Sequence, residues 1–215
     1  NTIDAASTVD AGNDVKLDAG KNNVIDGAST VTAAGEVSLA AGTSNSITGD
    51  SAVNAGADVT LDAAENNVIN GASDVTAMGS VDIDAGKSNL IAEAATVTAG
   101  QDVSITGEES NTIDASTVTA VAGEVTMGNA AGTPDTVVNS IQTGAVVTAG
   151  TDVRMTGDIN SILTGSSVRA TQSVTMTGAT QNAISESTVK AGTDVTLTGD
   201  KTTVDNVITE STVTA

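Results

Sequence analysis

Apolar and polar residues alternate in short runs along this chain, and three kinds of run recur in a fixed order. The first is Asn-x-Ile, the second is Val-x-Ala, and the third is Val followed two positions later by Leu, Ile or Met. A spacing of two is the period of a β-strand, because alternate side chains of a strand point to the same face. Each run therefore predicts one short strand. No stretch shows a 3.6-residue periodicity long enough to predict a helix.

The Asn-x-Ile run occurs ten times and sets the period of the chain. The first five intervals between its asparagines are 22 residues each, and the later ones are 28, 21, 22 and 24 residues. A nearly fixed period of this length predicts one structural unit stacked on itself. We call these units coils 1 to 10, and they begin at Asn1, Asn23, Asn45, Asn67, Asn89, Asn111, Asn139, Asn160, Asn182 and Asn206.

Three short strands and three corners account for one coil, so the fold class predicted is all-β. Residues 1–215 are expected to form a single three-faced parallel β-solenoid (β-helix) of nearly ten coils, each pairing with its neighbours. Adjacent strands lie about 4.8 Å apart, which gives a rod on the order of 45 Å long. The crossover preference of parallel strands favours a right-handed coil. Gly often separates the second and third strands, as at Gly56 and Gly100, and is expected to supply the backbone freedom of that corner.

Two intervals carry extra residues, around 129–137 and around 200–205. Both insertions follow a third strand, at the corner that leads into the next asparagine. Insertions in solenoids usually map to loops on one side. We therefore expect one edge of the rod to carry the variable loops.

The composition argues against several classes of function. The chain has no Phe, Tyr, Trp, His or Cys, and its formal net charge is −20. Phosphate contacts need Lys and Arg, so no nucleic-acid partner is expected. No apolar run is long enough to predict a membrane span. An enzyme is not expected either, because a catalytic carboxylate pair needs two distinct environments and translational repetition gives near-identical ones.

The ten asparagines are predicted to form a structural ladder at one corner. Amides in successive coils can donate and accept in a row, which satisfies buried polar groups without a ligand. The predicted ladder residues are Asn1, Asn23, Asn45, Asn67, Asn89, Asn111, Asn139, Asn160, Asn182 and Asn206.

A second column is acidic and lies just before the third strand. Its members are Asp14, Glu36, Asp58, Asp102, Glu124, Asp152 and Asp194, with Ser80 and Ser173 as interruptions. Carboxylates about 5 Å apart repel each other, so the column needs solvent, raised pKa values or cations. No cofactor is predicted for a solvated column. The alternative is a row of calcium ions, which take oxygen ligands.

A third array consists of threonines beside the second-strand valines. One outward column holds Thr8, Thr30, Thr96, Thr117, Thr188 and Thr212, and the other holds Thr32, Thr76, Thr98, Thr119, Thr148 and Thr214. Asp74, Arg169, Lys190, Ala52, Asn54 and Val146 interrupt them. Flat Thr-x-Thr ranks are similar to the ice-binding surfaces of some antifreeze proteins, although Thr is also simply a favoured strand residue.

Several segments share the pattern Ala-Gly-x-Asp-Val: residues 54–61 (Asn-Ala-Gly-Ala-Asp-Val-Thr-Leu), 148–153 and 190–198. This pattern resembles the repeats of filamentous haemagglutinin-type exoproteins, the β-helical adhesins that bacteria secrete. The resemblance implies an extracellular or cell-surface location and an adhesin-like or filament role.

The function predicted is therefore structural and non-enzymatic: a stiff fibre, stalk or filament segment. Its expected partners are copies of itself or flanking solenoid coils, bound through the open sheet edges of the end coils. The alternative is a binding module, for ice on the Thr ranks or for cations on the acidic column.

Overall fold

The structure is a computed structural model that describes residues 1–129, 137–199 and 204–215. It confirms an all-β parallel solenoid of about nine turns, with like residues about 22 positions apart. Most of the two predicted insertions, residues 130–136 and 200–203, lies outside the described residues.

Every regular element in the described residues is a strand. In chain order the strands are β1 (Thr2–Ile3), β2 (Thr8–Ala11), β3 (Val15–Ala19), β4 (Asn22–Ile25), β5 (Thr30–Ala33), β6 (Val37–Ala41), β7 (Ser44–Ile47), β8 (Ala52–Ala55), β9 (Val59–Ala63), β10 (Asn66–Ile69), β11 (Asp74–Ala77), β12 (Val81–Ala85), β13 (Ser88–Ile91), β14 (Thr96–Ala99), β15 (Val103–Gly107), β16 (Ser110–Asp114), β17 (Thr117–Ala120), β18 (Val125–Gly128), β19 (Val138–Gln142), β20 (Val146–Ala149), β21 (Val153–Ile162), β22 (Ser167–Ala170), β23 (Ser173–Ser185), β24 (Thr188–Lys190), β25 (Asp194–Gly199), β26 (Asp205–Thr209) and β27 (Thr212–Thr214).

The strands pair in parallel and in register, so that like residues stack on like. In the first strands Asn67 lies opposite Asn89, and in the second strands Val75 lies opposite Val97. In the described part of the chain the second strands form one ten-stranded sheet, which we call the second face. Its members are β2, β5, β8, β11, β14, β17, β20, β22, β24 and β27.

The core is a set of aliphatic columns that run along the interior. Ile25, Val31 and Leu39 are fully buried in coil 2, as are Ile47, Val53 and Leu61 at the same positions of coil 3. A fully buried Val, Leu or Ile side chain contributes about 1.5–3 kcal/mol relative to an exposed one. Because each coil adds one aliphatic residue to every column, the interior is filled without any aromatic side chain.

The prediction of three separate strands in every coil is wrong at two junctions. The corner expected before Asn160 lies inside β21, and the corner expected before Asn182 lies inside β23. The register between these strands shifts just after the paired Gly157 and Gly178, between Gly157 and Ile159. A bulge of this kind turns the strand while hydrogen bonding continues on both sides. As a result, the first and third strands belong to a single 17-stranded sheet within the described residues.

The reason given for the glycines between the second and third strands is also wrong. Gly56 and Gly100 do not have positive φ, so left-handed backbone is not what requires them. A Cβ atom at Gly56 would collide with the carbonyl oxygen of Ala34, and one at Gly100 with that of Met78. These glycines are needed because the preceding coil passes too close for a side chain.

The left-handed backbone occurs instead at the corner between the first and second strands. Its residues include Ala28, Asp50, Ala72 and Thr164, with φ of 59°, 60°, 56° and 53°. Non-glycine residues adopt this region at a cost of about 1–2 kcal/mol each. Stacking of each corner on the next holds this conformation, through bonds such as that from Ala28 N to Gly49 O at 2.6 Å.

Candidate functional site

The predicted asparagine ladder is present. All ten asparagines lie in the described ranges, and nine side-chain hydrogen bonds of 2.8–3.0 Å join each Nδ2 to the Oδ1 of the next, from Asn1 to Asn206. Asn45 is 0% exposed. Its Nδ2 also donates to the carbonyl oxygens of Leu39 at 3.0 Å and Asp62 at 2.8 Å, which lie in the third strands of two successive coils. The buried amide of Asn45 is thus bonded within the protein through both its nitrogen and its oxygen, which supports a structural role for the ladder.

A second ladder, of serines, was not predicted. Ser29 N donates to Ser51 Oγ, and Ser51 N donates to Ser73 Oγ, both at 3.2 Å. The three side chains are buried at the corner that has left-handed backbone. The sequence held a signal for it, because Ser occupies the position two residues before the second-strand Val in eight of the ten coils.

The acidic column has a role that sequence reasoning missed. The Oδ1 of Asp58 accepts a hydrogen bond from the backbone N of Ser80 at 2.7 Å, and Asp102 accepts one from Glu124 N at 2.8 Å. Asp14 and Asp152 do the same for the coils that follow them. These aspartates are therefore backbone caps that join coils 1, 3, 5 and 7 to the even coils that follow them.

This capping gives the solenoid a true repeat of two coils. Odd coils carry Ala-Gly-x-Asp before the third strand, whereas even coils carry Glu or Ser at the Asp position. In the even coils, a Cβ at Gly35, Gly79 or Gly123 would collide with the Asp carboxylate of the coil before. The sequence alternation thus matches an alternation of contacts along this edge.

The hypothesis of a calcium row gains no support from the geometry. Among the described residues, no group of three or more carboxylates is arranged so that it could hold a metal ion. Two members of the column are instead paired with Arg154, whose Nε lies 3.0 Å from Glu124 Oε2 and whose Nη2 lies 2.7 Å from Asp152 Oδ2. The hydrogen bond from Arg154 to Glu124 is the main cause that raises the pKa of the guanidinium.

Among the carboxylates of the described residues, Asp82 is the one whose pKa departs most clearly from its ordinary value. It projects from the third strand of coil 4. Burial first, and then the negative charges of Asp58, Asp102 and Asp84, raise the pKa of Asp82 above its ordinary value. The main effect is therefore the loss of solvation, reinforced by repulsion from the neighbouring carboxylates.

The structure brings the predicted threonines into register on the second face. Thr76, Thr98, Thr119 and Thr148 follow one another through four coils of one column. In the other column Thr96 and Thr117 are adjacent, but Asp74 precedes them and Val146 follows. Complete Thr-x-Thr pairs in neighbouring coils thus occur at coils 5 and 6. The ice-binding hypothesis stays a prediction.

Several surface depressions lie among the described residues. One, of about 260 Å³, is lined by residues that include Asp62, Asp84 and Glu108. Another, of about 520 Å³, is lined by small or apolar groups that include Ala34, Gly56 and Met78. The chain has no His or Cys to act beside them, and the expectation that it is not an enzyme stays a prediction.

In the described part of the chain, no helix is long and apolar enough to cross a membrane. Comparison with protein-family models, with curated proteins and with solved structures found no match to this chain. Nothing in these comparisons links it to filamentous haemagglutinin-type repeats, so that resemblance also stays a prediction.

Proposed function

We propose that this chain is a structural, non-enzymatic rod, a segment of an extracellular fibre, stalk or filament. The observation that carries the proposal is the continuity of the asparagine ladder from coil 1 to coil 10. Backbone ladders and buried amides run in the same direction through every coil. A force along the rod therefore acts on many parallel hydrogen bonds at once.

Apolar residues that are exposed on the end coils support the proposal that a further coil stacks on each end of the rod. Ile208, in coil 10, is 53% exposed, whereas Ile184 in the coil before is fully buried. Ile3 in coil 1 is likewise only partly buried. A further coil, from a second copy or from a flanking solenoid segment, would cover these residues as the inner coils cover each other.

Electron microscopy of the purified chain at rising concentration tests this proposal. We expect straight rods of uniform width, with a unit length on the order of 45 Å and longer rods where ends join. Compact round particles would contradict the rod itself. Single short rods at every concentration would contradict joining of copies at their ends.

A pair of variants tests whether the rods join through their end coils. Ile208→Lys places a charge on the exposed apolar end and should abolish the longer rods. Met78→Lys is the matched control, because Met78 is 76% exposed on the side of the rod and not at its end. If both variants lose the long rods equally, the rods do not join through their end coils.

A further inference from the structure

The second face is electrically neutral on a strongly acidic molecule. Its ten strands contain two acidic and two basic residues, Asp10, Asp74, Arg169 and Lys190, whereas the other strands of the described residues contain eight acidic and two basic residues. Like charges oppose the approach of two copies of a protein with net charge −20. The second face is therefore the surface on which side-by-side contact meets least repulsion.

Three of the four charged residues of the second face lie in one outward column, with the acidic residue towards one end and the basic residues towards the other. Asp10 lies in coil 1, and Arg169 and Lys190 lie in neighbouring positions of coils 8 and 9, in the same outward column. All three side chains are exposed. One end of the column is thus negative and the other is positive.

We propose that two copies of this chain pair face to face through the second face, antiparallel, about a twofold axis at coil 5. This arrangement puts Asp10 of one copy opposite Lys190 of the other and beside Arg169, and the symmetry forms each contact twice. It puts Thr98 opposite its own counterpart. Asp74, in coil 4, then faces the neutral Thr117 in coil 6.

The remaining contacts of this arrangement are compatible with close packing. Val146 is 39% exposed and faces Ala52, the small apolar member of the same column. A parallel pairing would instead set the two outward columns against each other, and Asp10 would face Thr8. Charge complementarity therefore selects the antiparallel arrangement.

The size of the face suits a weak, specific dimer. Nine strands at about 4.8 Å spacing, each four residues long at about 3.3 Å per residue, give roughly 570 Å² per copy. The total of roughly 1,100 Å² lies at the low end of specific interfaces. This pairing does not depend on whether rods also join at their ends, and it goes beyond that proposal.

Cross-linking through single cysteines tests the pairing without background, because the chain has no native cysteine. Thr98→Cys should give covalent dimers with a short bis-maleimide, whose reach matches the spacing of about 10 Å between facing sheets. Ser104→Cys is the matched control in the same coil, since Ser104 points outward from the third strand with similar partial exposure. Neither position is near an end of the rod, so end-to-end joining cannot produce the Thr98 product.

Three further variants test the direction of the pairing and its electrostatic cause. Asp10→Cys alone should give no dimer, because in the antiparallel pair its counterpart lies about 38 Å away along the rod. The double change Arg169→Glu with Lys190→Glu should abolish dimers of the Thr98→Cys variant, and adding Asp10→Lys should restore them. Efficient Asp10→Cys dimers would overturn the antiparallel direction. Equal cross-linking of Thr98→Cys and Ser104→Cys, or no effect of charge reversal, would overturn the pairing.

Discussion

Replacement of one ladder asparagine, Asn45→Ala, is the most direct test of what holds the rod together. Asn45 donates to Leu39 O, Asp62 O and Asn67 Oδ1, and it accepts from Asn23 Nδ2, at distances of 2.8–3.0 Å. The Ala variant leaves all four groups short of one partner, at a corner where Asn23, Leu39 and Asn45 are fully buried. Because an amide NH2 has two hydrogens, the three donated contacts share two bonds. With the accepted bond, a net contribution of about 1 kcal/mol for each gives a loss of about 3 kcal/mol in the free energy of unfolding.

Urea unfolding followed by far-ultraviolet circular dichroism measures this loss, since the chain has no Trp or Tyr for fluorescence. Asn54→Ala is the matched control, because Asn54 lies in the same coil but points outward from the second face. A surface change of this kind should alter stability by about 0.5 kcal/mol or less. Because solenoids can unfold in parts, the slope of the transition should be compared between variants as well as its midpoint.

The outcome that refutes the reasoning is equal stability of the two variants. It would mean that the backbone ladders alone hold the coils and that the buried amides add nothing. An intermediate result, near 1 kcal/mol, would mean that the neighbouring carbonyl groups and Asn23 find other partners after the change.

Five other substitutions have expected outcomes. Gly79→Ala forces a Cβ against the Asp58 carboxylate, and Asp58→Ala removes the acceptor of Ser80 N, so each change should destabilise the chain by about 1–2 kcal/mol. In a double-mutant cycle, the double variant should lose less stability than the sum of the two single variants. The raised pKa of Asp82 makes its ionised form unfavourable in the folded state, so Asp82→Asn should raise the urea midpoint at pH 7. This gain should disappear as the pH falls through the folded pKa towards the ordinary value of 3.8. A gain that persists at lower pH would exclude ionisation of Asp82 as its cause. Thr164→Gly should stabilise the chain by about 0.5–1 kcal/mol in the same urea titration, because a β-branched residue at φ 53° is strained. A loss of stability would show that the Thr164 side chain makes a necessary contact. Ser51→Ala should cost about 1–2 kcal/mol, since Ser29 N loses its acceptor in a buried corner, and slower amide exchange at Ser29 than in the parent would contradict this.

The candidate columns were predictable to different degrees. The asparagine ladder followed from a single residue type at a fixed period beside a strand. The serine ladder could have been found in the same way, from the Ser that stands two residues before the second-strand Val. The alternation of Asp58 with Ser80 is also visible in the sequence, but its meaning is not, because the hydrogen bond joins residues 22 positions apart.

What the sequence by itself determined is the period, the strand triplet and the side chains that face inward. These follow from local alternation and from repetition, which place Ile over Ile and Asn over Asn whatever the corners do. Only the tertiary structure decided which corner is left-handed, why Gly56 has no side chain, and where β21 and β23 continue through a predicted corner. These features depend on how closely one coil passes over the next, and that distance is a property of the stacked chain rather than of any short segment.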